Sequence, residues 1–412
     1  MNKTLEIFLG ILTAMGGFVE IGELVFCVNA GAKFRYSLLW VVALGTVGII
    51  VYGEMAGRIA AVAKQPIFTL IRHRTGYATG LVTLLAANAA SLLTTAAEIG
   101  GIAILLKLLF GGNYFLLVIC TFAMLMLVVW FLSFHAIERI FGLLGLLMVV
   151  FGAAAYYLTP NWTEIAAGFV PQLPIVDTSK EYFVYAYFGV ALMSSIMLPY
   201  ETYFYAAGAI EDKWDPGYVN LNRVIVIIGF TLGSLLAVSL LLVGASFFGP
   251  MQIEPQMPGT AALASAAVFG KWGLVIALLG MFFALSGAAI ENSLSCAYNL
   301  MHFLGWPWGK FLPPKDAPRF HLSWMVTFVI AAMIILTGVD PVQVVEYSIV
   351  FSVVILPLTF YPTLMAARDK AYMGEYANKW FANVLGLFYL VLISVAALAA
   401  IPLLIYTNGG KG

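Results

Sequence analysis

Residues 16–23 read Gly16-Gly17-Phe18-Val19-Glu20-Ile21-Gly22-Glu23, in the middle of an apolar run spanning about 6–30. Two carboxylates and three glycines interrupt a stretch that is otherwise suited to hydrocarbon. Glycine weakens a helix by roughly 1 kcal/mol relative to alanine. Unwound backbone at membrane depth is tolerated only where it lines protein or water. The spacing predicts a non-helical segment over 16–23. Exposed carbonyls there and the carboxylates of Glu20 and Glu23 would then form a cation site of hard oxygen ligands. The alternative is a purely structural pair, with Glu20 and Glu23 one helical turn apart, hydrogen-bonded, and at least one of them protonated.

A second irregularity lies in the sixth apolar run: Ser194-Ser195-Ile196-Met197-Leu198-Pro199-Tyr200-Glu201. Pro199 removes a backbone donor and clashes with the preceding turn, which breaks or kinks a helix there. A plain proline kink would account for it in isolation. Paired interruptions in runs one and six, however, are the pattern of an inverted-repeat carrier whose site lies at the membrane midplane. The candidate site residues are therefore Gly17, Glu20, Gly22 and Glu23 from the first run. Ser195, Leu198 and Tyr200 join them from the sixth, and the two interruptions are expected to face each other.

The rest of the chain agrees with a membrane solvent. Apolar residues make up 62% of the 412 and charged residues only 10%, against about 25% charged in soluble domains. About eleven runs are long enough to cross the bilayer as helices. They lie near 6–30, 37–62, 78–110, 114–134, 138–158, 182–211, 220–248, 262–299, 320–338, 341–366 and 378–406. They do not alternate as barrel strands would. The expected architecture is an all-α membrane protein forming a single domain over 1–412. Its first repeat would cover about 6–158, its second about 182–366, with an additional helix at about 378–406. The segment 64–76, KQPIFTLIRHRTG, alternates basic and apolar residues and reads as a short helix lying on the membrane face.

Lys and Arg set the orientation. With the N-terminus cytoplasmic, about fourteen of the 20 basic residues fall inside, among them Lys3, Arg58, Arg72, Arg139, Lys310 and Arg368. Lys33, Arg35, Lys107, Lys180, Lys271 and Lys411 fall outside. An odd number of spans then leaves the C-terminus outside, in a bacterial-type inner (plasma) membrane. No signal-peptide cleavage pattern is present, so the first run is expected to persist in the mature chain.

Composition also excludes functions. Net charge is zero, so there is no basic field for nucleic acid. Cys27, Cys120 and Cys296 lie inside apolar runs without a CxxC or Cys/His pairing. No nucleophile–base pair, histidine metal cluster or phosphate-binding loop appears. Neither an enzyme nor a resident cofactor is expected, and the partners are the lipid bilayer and a small cargo. Oligomeric state is not written in the sequence.

Other intramembrane polar residues carry weaker signals. Glu98, beside Thr94 and Thr95, is either a proton relay or a buried hydrogen-bonded carboxyl, and Glu20 and Glu23 are relay candidates too. Glu291 and Asn292 interrupt the eighth run, and Glu346 lies early in the tenth. Glu54 and Arg58 suit an i,i+4 ion pair. His135 and Glu138 are expected in a short solvated cytoplasmic turn. Tyr200, Tyr203 and Tyr205 are either cavity-lining hydroxyls or packing groups.

Three stretches carry a family resemblance. NAGAKFRYSLLWVVALGTVGIIVYGEMAGRIAAVAKQPIFTLIRHRTG resembles the first and second spans of the Nramp divalent-metal transporters. EIGGIAILLKLLFG resembles their third span and MLPYETYFYAAG their sixth. The resemblance covers most of the chain. It implies a LeuT-like inverted repeat of spans 1–5 and 6–10 plus one helix, and secondary transport of a divalent cation such as manganese, by alternating access and with proton symport. The family's Asp-Pro-Gly-Asn lines up with Glu20-Ile21-Gly22-Glu23, so an amide has become a carboxylate and the proline is gone. Its Met-Pro-His lines up with Leu198-Pro199-Tyr200, which removes the thioether that favours transition metals. A further family histidine lines up with Tyr205. One acid of the third span becomes Thr95, and the neighbouring glutamate is kept as Glu98. If the cargo is a metal, Glu20 and Glu23 are its charged ligands. The alternatives are an organic, ammonium-like or neutral solute held beside the tyrosines, or a receptor subunit that binds without translocating.

Overall fold

Helix formation follows directly from the apolar runs, since a backbone in hydrocarbon must satisfy its own hydrogen bonds. The computed structural model describes residues 19–158, 160–172, 174, 178–255 and 257–410, and among them no strand occurs. Ten helical stretches among the described residues are long and apolar enough to cross a membrane. The expected first span enters the described residues only at Val19. Its continuation, α1, runs Ile21–Phe34. Gly16 and Gly17, as well as Lys3 and Lys411, lie outside the described residues.

In chain order there follow α2 (Leu39–Ala63), α3 (Ile67–Thr75) and α4 (Tyr77–Phe110). Then come α5 (Tyr114–Phe131), α6 (Phe134–Gly145) and α7 (Val149–Tyr157), with α8 (Trp162–Gly168) outside the spans. The second half contains α9 (Ser179–Ile196), α10 (Pro199–Glu211), α11 (Val219–Val243) and α12 (Ala262–Leu304). It closes with α13 (Pro318–Leu336), α14 (Pro341–Arg368) and α15 (Trp380–Tyr406).

Burial separates the helices into a centre and a jacket. From Ile21 to Val28 every residue of α1 is buried. Most of the stretch 180–211 is buried, whereas α5 and α15 bury only four residues each and turn apolar faces outward. Helix α1 packs on α11 and on the π-helical turn Gly244–Phe248 that follows it. A side chain at Gly31 would collide with the Leu241 carbonyl, and one at Gly244 with the Val28 carbonyl. Small residues that let backbones meet are the usual means of helix association in lipid.

Several boundaries differ from the expectation. The eighth span runs on to Leu304 and is unbroken at Glu291 and Asn292; its one non-helical residue is Gly270, φ 63°. Helical hydrogen bonding is internal to the backbone, so two polar side chains alone do not interrupt it. His135 and Glu138 sit in the first turns of α6, whose N-cap Ser133 accepts the Ala136 N–H. Both are half-buried rather than solvated. The amphipathic segment forms α3, with Ile67, Phe68, Leu70 and Ile71 turned into the protein. Glu54 and Arg58 do pair, at 2.9 Å. Arg58 also bonds Asn378 at 2.6 Å and the Tyr376 carbonyl, fastening α2 to the 374–378 turn.

Candidate functional site

The non-helical segment expected over 16–23 ends at Glu20, earlier than the sequence predicts. Glu20 is extended, φ −101° and ψ 177°, and α1 begins at Ile21. Gly22 and Glu23 are therefore helical. The physical reason is a set of caps for the free N–H groups of the first turn. The Glu23 carboxyl accepts the Glu20 N–H at 2.9 Å, half of a capping box. The Glu98 carboxyl, from α4, accepts the Ile21 N–H at 2.9 Å. With both in place the chain becomes helical three residues earlier than its glycines suggest.

The break in the sixth span is narrow. Helix α9 continues through Ser195 to Ile196, Met197 and Leu198 are irregular, and α10 starts at Pro199. Ser195 is thus in the last helical turn, not in the interruption. Its carbonyl would pair in a longer helix with the N–H of residue 199, and proline has none. The Ser195 hydroxyl donates to the Leu192 carbonyl at 3.2 Å and lies beside the Glu23 carboxyl.

The start of α1 meets the break between α9 and α10. A Cβ on Gly22 would stand 3.5 Å from Ser195 Cβ, an ordinary contact, and a tight 3.0 Å from Ile349 Cδ1, so Gly22 lies against α9 and close to α14. Asn292 of α12 donates from Nδ2 to Glu20 Oε1 at 2.6 Å. The Tyr200 hydroxyl, from the first turn of α10, hydrogen-bonds the same carboxyl. Glu20, Glu23, Glu98, Ser195, Leu198 and Tyr200 are all buried, as is Asn292. Five helices, α4, α9, α10, α12 and α14, thus converge on the start of α1, whose positive dipole end favours the carboxylates gathered there.

The cluster keeps unused acceptors. Glu23 Oε1, Glu98 Oε2 and Asn292 Oδ1 are buried without a hydrogen-bond partner among the described residues. Buried polar atoms left in this state are costly. Among the described residues no three His, Cys, Asp or Glu side chains are placed to grip a metal ion by themselves. A cation here would need the amide, the Tyr200 hydroxyl and a backbone carbonyl besides the two carboxylates. Leu198, buried at the break, offers no lone pair.

Some sequence candidates lie elsewhere. The Tyr203 ring packs edge-on against Phe68, centroids 5.0 Å apart. Tyr205 donates to Asn222 Oδ1 at 2.9 Å. Five residues beyond Tyr200, the helical rotation has carried Tyr205 well off its face. Thr95 turns its hydroxyl back to the Ser91 carbonyl at 2.8 Å, and Thr94 bonds Ser348 at 2.5 Å. Asn292 was visible in the sequence as a polar interruption but not as part of the site; only the fold brings it to Glu20, 272 positions away. Glu201, next to Tyr200, is also buried with Oε2 unpartnered.

The Nramp family model, described as natural resistance-associated macrophage protein-like, matches residues 10–402. A divalent metal cation transporter MntH of Levilactobacillus brevis is 25% identical over 94% of this chain and 86% of its own length. The MntH of Staphylococcus saprophyticus is 23% identical over 94% and 89%. The Eremococcus coleocola manganese transporter superposes with a TM-score of 0.79 at 21% identity, over 98% of this chain and 87% of that one. Mhp1, a nucleobase-cation-symport-1 family transporter, superposes at 0.59 and 13% identity over 98% and 92%. The fold is the LeuT-like one, with the start of α1 and the broken sixth span at its centre.

Proposed function

This chain is a member of the Nramp family, and on that premise we propose that it carries a divalent metal cation across the membrane by alternating access. Glu20 and Glu23 are its charged ligands. The observation that carries this reading is the meeting of the start of α1 with the α9/α10 break around two buried carboxyls, with acceptors unpaired among the described residues beside them. Oxygen ligands in that setting suit a hard or borderline divalent ion. The relatives named as divalent metal cation transporters weigh for a metal over the organic-solute and receptor alternatives.

In the proposed site Gly22 gives close approach, the Ser195 carbonyl and Tyr200 hydroxyl complete the oxygen set, and Gly17 would add a carbonyl. Leu198 withholds the sulfur, so the site is harder than one containing a thioether. Glu98 holds the start of α1, and protons accompanying the cation would reside on the Glu20/Glu23 pair. The chain lies in the plasma membrane with its N-terminus cytoplasmic, supported by the distribution of Lys and Arg. The two repeats are assigned to about 6–158 and 182–366.

The test is binding by purified protein, then uptake into proteoliposomes. Manganese, magnesium or calcium should raise the melting temperature with saturation, because a ligand that binds only the folded state stabilises it by mass action. The same ion should accumulate in vesicles. Absence of both stabilisation and uptake for every divalent ion would overturn the metal reading.

A further inference from the structure

The C-terminal end of α15 does something its apolar sequence does not require. After Tyr406 the chain closes in a Schellman turn: Asn408 N–H bonds the Ile405 carbonyl at 3.3 Å and Gly409 N–H the Leu404 carbonyl at 3.0 Å. Asn408, Gly409 and Gly410 then hold φ of 50°, 69° and 80° in succession. Only glycine, or asparagine at a cost, adopts that region readily. Three such residues in a row direct the chain inward. Thr407 and Gly410 are buried, although α15 itself is a peripheral helix.

The turn lands on three helices that build the site. The Gly410 carbonyl accepts from Lys33 Nζ, on α1, at 2.9 Å. A Cβ on Gly410 would press on Phe188 and Tyr187 of α9, at 2.9 and 3.0 Å. One on Gly409 would stand 2.9 Å from Glu346 Oε2 of α14. Lys33 is paired at the same time with Glu254 at 3.0 Å, and Asn29 donates to the Pro255 carbonyl at 2.8 Å. Beneath the turn remains a cavity of about 30 Å³, lined by Val25, Asn29, Phe188, Val342, Glu346 and Gly410 among others. That is space for about one water molecule. Lys33 is thirteen residues past Glu20, about 20 Å along the helix axis, so the cavity lies between the site and this face of the protein.

We propose that the turn Thr407–Gly410 is a strap that closes the mouth of the cation path at the Lys33 end of α1, and that it must lift for that mouth to open. The proposal rests on reading the α1/α9 break as the cation site. Glycines suit the strap because both positions hold positive φ, and a Cβ at 410 would also press on the Phe188 and Tyr187 rings.

The experiment places a reporter cysteine, Val25→Cys, in a chain whose Cys27, Cys120 and Cys296 are replaced by alanine. Labelling by a charged maleimide is timed in detergent with three tails: intact, deleted from Asn408 onward, and Gly409→Ala/Gly410→Ala. With the intact tail labelling should be slow, and with either altered tail about tenfold faster or more. The double alanine variant decides the matter if the deletion does not fold. Equal rates in the intact and altered tails, or rapid labelling with the tail intact, would overturn the strap. Labelling needs no cargo, so this outcome is separate from success or failure of the metal reading.

Discussion

Glu98 Oε1 accepts the backbone N–H of Ile21 at 2.9 Å, across 77 positions of sequence. The bond joins the middle of α4 to the first turn of α1 and explains why a glycine-rich segment becomes helical so soon after Glu20. It also assigns Glu98 a definite task, as an anchor. Glutamine can accept the same bond, whereas leucine cannot and would bury an unpaired N–H at about 1–3 kcal/mol. Glu98→Gln is expected to bind the metal within about threefold of the parent. Glu98→Leu should melt several degrees lower, with weakened binding. Thermal unfolding and metal titration of the two variants check this, and loss of binding in the glutamine variant would restore the relay role.

Glu20 and Glu23 supply the charge of the proposed site. Cation affinity in oxygen sites follows the number of charged ligands, so Glu20→Gln and Glu23→Gln should each weaken binding by at least about tenfold. The fold should persist, since glutamine keeps the volume of each side chain. Uptake by both variants at the parental rate would favour the structural-pair explanation.

Asn292 holds Glu20 by a 2.6 Å bond. Partners that orient a ligand matter to metal affinity by about 10–100-fold. Asn292→Ala should weaken binding by about tenfold while leaving the melting temperature of the metal-free protein close to the parent. Unchanged affinity in a titration would show that Glu20 does not need the amide.

Selectivity turns on Leu198, buried at the α9/α10 break. Two carboxylates with no sulfur favour oxygen-seeking ions, so manganese uptake should be suppressed by excess magnesium or calcium. Leu198→Met should shift preference towards manganese or cadmium. The check is competition in proteoliposomes; manganese uptake indifferent to excess magnesium would place selectivity elsewhere.

Asp369 caps the turn after α14 and bonds Arg74 at 2.6 Å. The Arg74 hydrogen bond holds its carboxyl below the usual aspartate value of 3.8. A depressed carboxyl stabilises the fold above its unfolded pKa and loses that contribution as pH falls through the folded one. Asp369→Asn should therefore destabilise slightly near neutral pH, with the difference shrinking as the pH drops below about 4. Melting curves of both proteins across pH 3–7 test the sign.

The sequence by itself determined the solvent, the helices and the two places where helices break. These are local properties: apolar run length fixes a span, and Pro199 removes a donor wherever it sits. It also marked Glu20, Glu23, Ser195, Leu198 and Tyr200 as neighbours, because paired breaks in an inverted repeat must meet. Tertiary structure decided where α1 begins, since one of its caps comes from Glu98, 77 positions away. It also chose among equivalent polar residues: Asn292 faces Glu20, while Tyr203 and Tyr205 turn to Phe68 and Asn222. That choice depends on which faces of separate helices come together, and no single run of sequence records it.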